Sequence, residues 1–264
     1  MSGNEAFEMV SGTGWSRGLD NMLRSGLRRW FKTRTWWVQC LIWGGLVGGI
    51  LSAIAFSPEK LGFPELLMLF TVFAALFPAV GVVIIMQDAL VGEKREGTAA
   101  WVLSKPVTRQ SFLLSKVIAN SVGIFTTMVV VPCFIGYLII SLSQKSLLDP
   151  LGFLAAILVI FASHFYFVSL TLMLGTLFSG RGPVIGIPLA VLFLQQNLIG
   201  FLPFLRFIFP WTLMIPLGRD IPLVVSIIQH LPIQQEHLVI LGSIVLQSIL
   251  FIFIGLWRFN REEF

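Results

Sequence analysis

The chain has 264 residues, 56% of them hydrophobic and only 12% charged, with a mean hydropathy of +0.89. Soluble domains carry about 25% charged residues, so this composition excludes an ordinary globular protein and points to an all-α membrane protein. The formal net charge of +5 does not require a nucleic-acid partner, because the cations lie beside apolar segments.

Residues 1–35 form an N-terminal segment with no cleavable signal-peptide pattern, and residues 1–15 of it, polar and Gly-rich, are expected to be poorly ordered. From Arg17 to Arg34 the pattern is helical. Leu19, Met22, Leu23, Leu27, Trp30 and Phe31 recur at three- and four-residue steps on one face, with Arg24, Arg28, Arg29 and Lys32 elsewhere on the cylinder. A basic amphipathic helix of this kind lies in the membrane interface with its cations near anionic headgroups.

A transmembrane domain follows over 36–257, with six expected spans at 36–56, 65–86, 117–142, 151–178, 184–202 and 238–257. The first holds Gly44, Gly45, Gly48 and Gly49, small residues at four-residue steps where another helix can approach closely. They suit either a seam with a second subunit or packing within one. Cys40 and Cys133 fall inside apolar runs and are expected to be small buried side chains.

Between the second and third spans lies the polar interruption 87–116. Asp88, Glu93, Lys94, Arg95 and Glu96 precede a short apolar stretch, 99–103. Thr98 can cap a helix there, Pro106 stops it, and Thr108 can cap the next. Ala99, Trp101, Val102 and Leu103 are too apolar for a solvated loop, so something is expected to cover them.

The segment 203–237 is apolar but broken by Pro203, Pro210, Pro216, Pro222 and Pro232. It reads as two short helices, 204–217 bent at Pro210 and 221–231, dipping into the outer half of the membrane and returning. Residues 258–264 are a polar tail.

Six spans put both termini on one side. With the amino terminus cytoplasmic, fourteen of the 18 Lys and Arg lie on inner segments and four, Lys60, Lys145, Arg206 and Arg219, on outer ones. That is a positive-inside bias, and it places 87–116 and the tail in the cytoplasm.

Polar residues inside spans mark either a route for cargo or bonds between helices. His164 in the fourth span and Gln195, Gln196 and Asn197 in the fifth are the candidates. No GxxxxGK[ST] phosphate loop, HExxH helix, CxxC pair or serine elbow occurs in the sequence.

The order of signals in 87–116 resembles the cytoplasmic loop of ABC-2 type permeases, the membrane subunits of ATP-binding cassette transporters. The matching positions are Glu93, Gly97, Thr98, Leu103, Ser104, Pro106, Val107, Arg109 and Lys116. The layout of spans resembles that family over nearly the whole chain. The resemblance implies an elbow helix before the first span and outer helices between the fifth and sixth. It also implies a coupling helix in the 87–116 loop, docked on a separate ATPase subunit, with Trp101 and Leu103 among the docking residues and Glu93 and Arg109 as polar contacts. The short loop at Arg181 would be a second, smaller contact.

ATP and Mg would belong to that partner, with no cofactor in this chain. A second permease copy or a related permease would complete the path, which favours the seam reading of the glycines. The expected function is therefore a permease subunit of an exporter in the inner membrane. The alternatives are an ion-coupled secondary transporter, which would carry internal repeats and buried ionisable sites, and an integral-membrane lipid-modifying enzyme, which would cluster catalytic groups at the surface. Neither pattern is clear. No Asp or Glu lies deep in a span, Glu65 being near an end.

Overall fold

The computed structural model describes residues 14–58, 61–218 and 220–262. The expected disorder of residues 1–13 and the outer cations Lys60 and Arg219 lie outside the described residues. The described residues form the helices α1 Leu19–Phe31, α2 Thr35–Ala55, α3 Phe63–Arg95, α4 Thr98–Leu103, α5 Arg109–Gln144, α6 Pro150–Leu177, α7 Arg181–Phe201, α8 Trp211–Met214, α9 Leu223–Ile228 and α10 Gln235–Phe259. No strand occurs among the described residues. α2, α3, α5, α6, α7 and α10 are each long and apolar enough to cross a membrane, so the protein is an all-α, multi-pass membrane protein.

Two of these helices run further than hydropathy suggests. α3 continues past Met86 through a π turn at Asp88–Gly92 and ends at Arg95, and α5 begins at Arg109. Nothing from Gln87 to Arg95 breaks a helix, so charge alone does not end it; Gly97, at φ 73, does. The 87–116 interruption is thus mostly helical, with irregular backbone only at 96–97 and 104–108. A second π turn, Phe125–Val130, leads up to Pro132 in α5. The widened turn relieves the clash a proline ring makes with the carbonyl four residues back.

Lipid tails give helices no hydrophobic reason to associate, so contact depends on close packing. Large side chains lie over glycines of the facing helix. A Cβ on Gly81 would meet Trp43 Cζ2 at 2.2 Å, and one on Gly136 would meet Phe70 Cε2 at 2.4 Å. α6 is the centre: 61% of its span is buried, against 28% for α2 and α7 and 22% for α10, whose outer faces carry Leu41, Ile42, Phe193, Leu246 and Phe253. α6 packs against α3, α9 and α10.

The bundle has two unlike ends. At one, Asp149 caps α6 by accepting from the amides of Leu151 and Gly152. The segment after α7 folds over that end as a 3-10 turn, Pro203–Phe207, then α8 and α9. The 204–217 helix is broken at Pro210 as expected, but its first half is a 3-10 turn, and α9 is shorter than 221–231. Trp211–Met214 and Leu223–Ser226 are buried, so this segment packs on protein. Arg206 pairs with Glu236 at 3.2 Å, and His230 Nε2 lies 3.4 Å from Asp149. The other end holds α1, α4 and the residues after α10.

Candidate functional site

α4 is a turn and a half of helix held between α3 and α5. Gly97 occupies its N-cap in the left-handed region, and its carbonyl accepts from the Trp101 amide at 3.0 Å. Thr98 is therefore the first helical residue and not the cap, because the glycine already reverses the chain and no side-chain capping bond forms. The helix ends at Leu103, before Pro106. Ser104 Oγ donates to the Trp101 carbonyl at 2.7 Å. Thr108 caps α5 as expected, accepting from the Ser111 amide at 3.1 Å.

The expectation that something covers the apolar stretch is met for three of its four residues. Ala99 is fully buried, and Val102 and Leu103 are half-buried against the core. Trp101 is 65% exposed, touched by Lys105, whose Nζ lies 5.3 Å from the ring centroid. Gly97, Thr98, Ser104 and Pro106 are exposed beside it.

Two of the charged residues expected on this surface, Glu93 and Arg109, bond back to the chain itself. Glu93 is 12% exposed; its carboxylate accepts from Lys116 and lies 3.7 Å from Arg29 of α1. The extra residue of the π turn rotates the last turn of α3, so that Glu93 meets α1 and α5 while Lys94 reaches α6. Lys94 Nζ donates to the Gly175 carbonyl at 3.0 Å and to Glu262 at 2.7 Å. Arg109 donates to the Asn260 carbonyl at 2.7 Å, and Phe112 stacks on Phe259 at 5.6 Å. Arg181 pairs with Asp88 at 2.9 Å, both about half exposed. The amino end of the chain joins the same frame: Trp30 Nε1 donates to Asn120 Oδ1 at 2.9 Å, and Trp30 lies over Gly123. α1 therefore rests on α5 with part of its apolar face. A cleft of about 560 Å³ lies behind α4, lined by residues that include Trp30, Gln87, Trp101, Val102, Lys116 and Asn120.

Sequence reasoning missed Lys94, Glu262 and Asn260 because their partners are distant in the chain and leave no periodic signal. It picked Trp30 only as one member of an apolar stripe.

The glycines of α2 divide by face. Gly44 and Gly48 are buried against Ile135 of the same chain, where a Cβ would approach within 2.8 and 2.5 Å, while a Cβ on Gly45 or Gly49 would meet nothing within 4 Å among the described residues. Adjacent helical residues point about 100° apart, so four clustered glycines cannot serve one contact. The same geometry divides the polar residues of α7. Gln195 is buried; Gln196 and Asn197 are exposed and do not join His164. Gln195 and His164 do meet, lining one small cavity with Trp211 of α8. His164 Nδ1 bonds the Ile160 carbonyl at 2.7 Å, and Gln195 Nε2 donates to the Leu192 carbonyl at 3.1 Å. No group of three His, Cys, Asp or Glu among the described residues could hold a metal.

No curated protein matches the chain. A family model described as ABC-2 family transporter protein matches residues 46–264, from the middle of α2 onward. With six membrane-competent helices and this match over most of its length, the chain belongs to the ABC-2 transporter family, as a membrane-spanning permease component of an ABC transporter.

Proposed function

We propose that this permease is the membrane half of an exporter driven by separate ATPase subunits, and that α4 is the handle those subunits grip. The observation that carries this reading is the exposed Trp101 on a short helix whose inner residues, Ala99, Val102 and Leu103, are held by the chain itself. A large aromatic left in water next to exposed Gly97, Thr98, Ser104 and Pro106 has the form of an interface anchor. Family membership supports an ATPase partner, which would carry the ATP and Mg.

The end of the bundle with α1, α4 and the tail is then cytoplasmic, in agreement with the charge bias along the sequence. The membrane is the inner membrane, and the 203–237 segment is re-entrant on the outer side. Glu93 and Arg109 serve as struts that carry movement of α4 into α1, α5 and α10, and not as docking contacts. The Arg181–Asp88 pair lies at the edge of the docking face. A second copy of the chain, or a related permease, meets α2 on the Gly45 and Gly49 face.

The test is Trp101→Asp in the full chain expressed with a cassette ATPase. Truncating an interfacial tryptophan typically costs about 2 kcal/mol or more, so affinity is expected to fall about thirtyfold or more, and co-purification to fall with it. Since Trp101 is exposed, the purified variant is expected to unfold at the original temperature. Retained ATPase binding, or cargo movement down an ion gradient without nucleotide, would overturn the reading. Leu103→Asp is a poorer test, because Leu103 packs against the core.

A further inference from the structure

The cavity between α3, α6, α7 and α8 contains an unbalanced set of buried polar atoms. His164 is 1% exposed, Gln195 2% and Trp211 8%. His164 Nε2, Gln195 Oε1 and Trp211 Nε1 have no partner among the described residues, although all three residues line the same space. Unpaired buried polar groups are costly, and three around one cavity point to something that satisfies them together.

Their chemistry identifies it. His164 Nδ1 faces the Ile160 carbonyl, which can only accept, so Nδ1 carries the ring proton and Nε2 of the neutral ring is an acceptor. Gln195 turns its amide nitrogen to the Leu192 carbonyl, which leaves Oε1 as a second acceptor. Trp211 Nε1 can only donate. The missing partner must therefore supply two hydrogens and take one. A cation would oppose the indole N–H, an anion would oppose both acceptors, and among the described residues no acidic or basic side chain other than His164 lines the space. The volume agrees: about 20 Å³ is open to the centre of a water molecule, and one water needs about 10–15 Å³ on that measure.

We propose that this cavity is a structural water site, in which one water donates to His164 Nε2 and Gln195 Oε1 and accepts from Trp211 Nε1. The water pins α8, part of the segment folded over the bundle end, to the fourth and fifth spans. His164 and Gln195 are then a fixed polar anchor, separate from any route for cargo.

X-ray radiolytic footprinting of the full chain in lipid nanodiscs tests this, since a bound water generates radicals in place and oxidises its buried neighbours. Met214 lines the cavity and is 1% exposed, while Met86 and Met128, at 0% and 1%, lie elsewhere in the core. Oxidation of Met214 and Trp211 is expected, with Met86 and Met128 spared; Met214 as inert as Met86 overturns the proposal. Magnetic resonance on protein with isotope-labelled histidine gives an independent reading, because the chain has only three His. A contact between water protons and His164 Nε2 is expected in the native chain and is expected to weaken in Trp211→Phe. Its absence from the native chain overturns the site whether or not the variant folds.

Discussion

Lys94 Nζ lies 2.7 Å from Glu262 Oε1 and 3.0 Å from the Gly175 carbonyl, so one ammonium joins the end of α3, the last turn of α6 and the residues after α10. The two side chains are only 10% and 21% exposed. A screened surface pair would matter little; a withdrawn, charge-assisted one holds its partners in place. The turn that leads into α4 is thereby tied to both neighbouring spans.

Lys94→Met should lower stability, because it leaves the Glu262 carboxylate partly buried without its partner. Hydrogen bonds to charged groups contribute about 1.5–3 kcal/mol, which sets the expected loss at about 2 kcal/mol. Thermal unfolding of the purified chain in detergent reads it. If Lys94→Met and Glu262→Gln both unfold at the native temperature, the latch has no energetic role.

Two glycine substitutions of identical chemistry should diverge. A Cβ on Gly123 would come within 2.1 Å of the Trp30 ring, so Gly123→Ala must push α1 off α5 and break the Trp30–Asn120 bond. A Cβ on Gly45 meets nothing within 4 Å among the described residues, and helix propensity alone favours Gly45→Ala by up to about 1 kcal/mol. Unfolding of the single subunit should fall for the first and hold or rise for the second. If Gly45→Ala also weakens pairing between copies, the open face of α2 is where they meet; equal loss of stability in both variants would contradict this account of the packing.

Asp88→Asn should be nearly silent in stability. Asp88 and Arg181 are 51% and 46% exposed, and exposed pairs contribute about 0–1 kcal/mol, less in high salt. A loss as large as that from Lys94→Met, measured in the same assay, would show that the pair is more enclosed than its exposure indicates.

Much of the architecture is legible in the sequence because burial in lipid imposes a simple requirement. Each span must satisfy its own backbone over about 20 apolar residues, and that leaves a hydropathy signal any window can read. One short capping signal also carries through: Thr108 caps where a hydroxyl precedes a helix. Thr98 does not, because Gly97 can adopt a left-handed backbone that threonine avoids.

The site was less legible. Charge near a membrane looks the same in sequence whether a residue faces a partner protein or its own chain. Glu93 and Arg109 sit beside Trp101 in the chain and yet point elsewhere, one to Lys116 and Arg29, the other to Asn260.

Hydropathy and charge order alone were enough to establish six crossings, a basic helix ahead of them and a short apolar turn between the second and third, since these follow from local transfer energies. Which face of each helix meets protein depended on distant partners. That is why Gly44 parts from Gly45, Gln195 from Gln196, and Trp101 from Val102: successive helical residues diverge by about 100°, and only the packed bundle says which direction is inside.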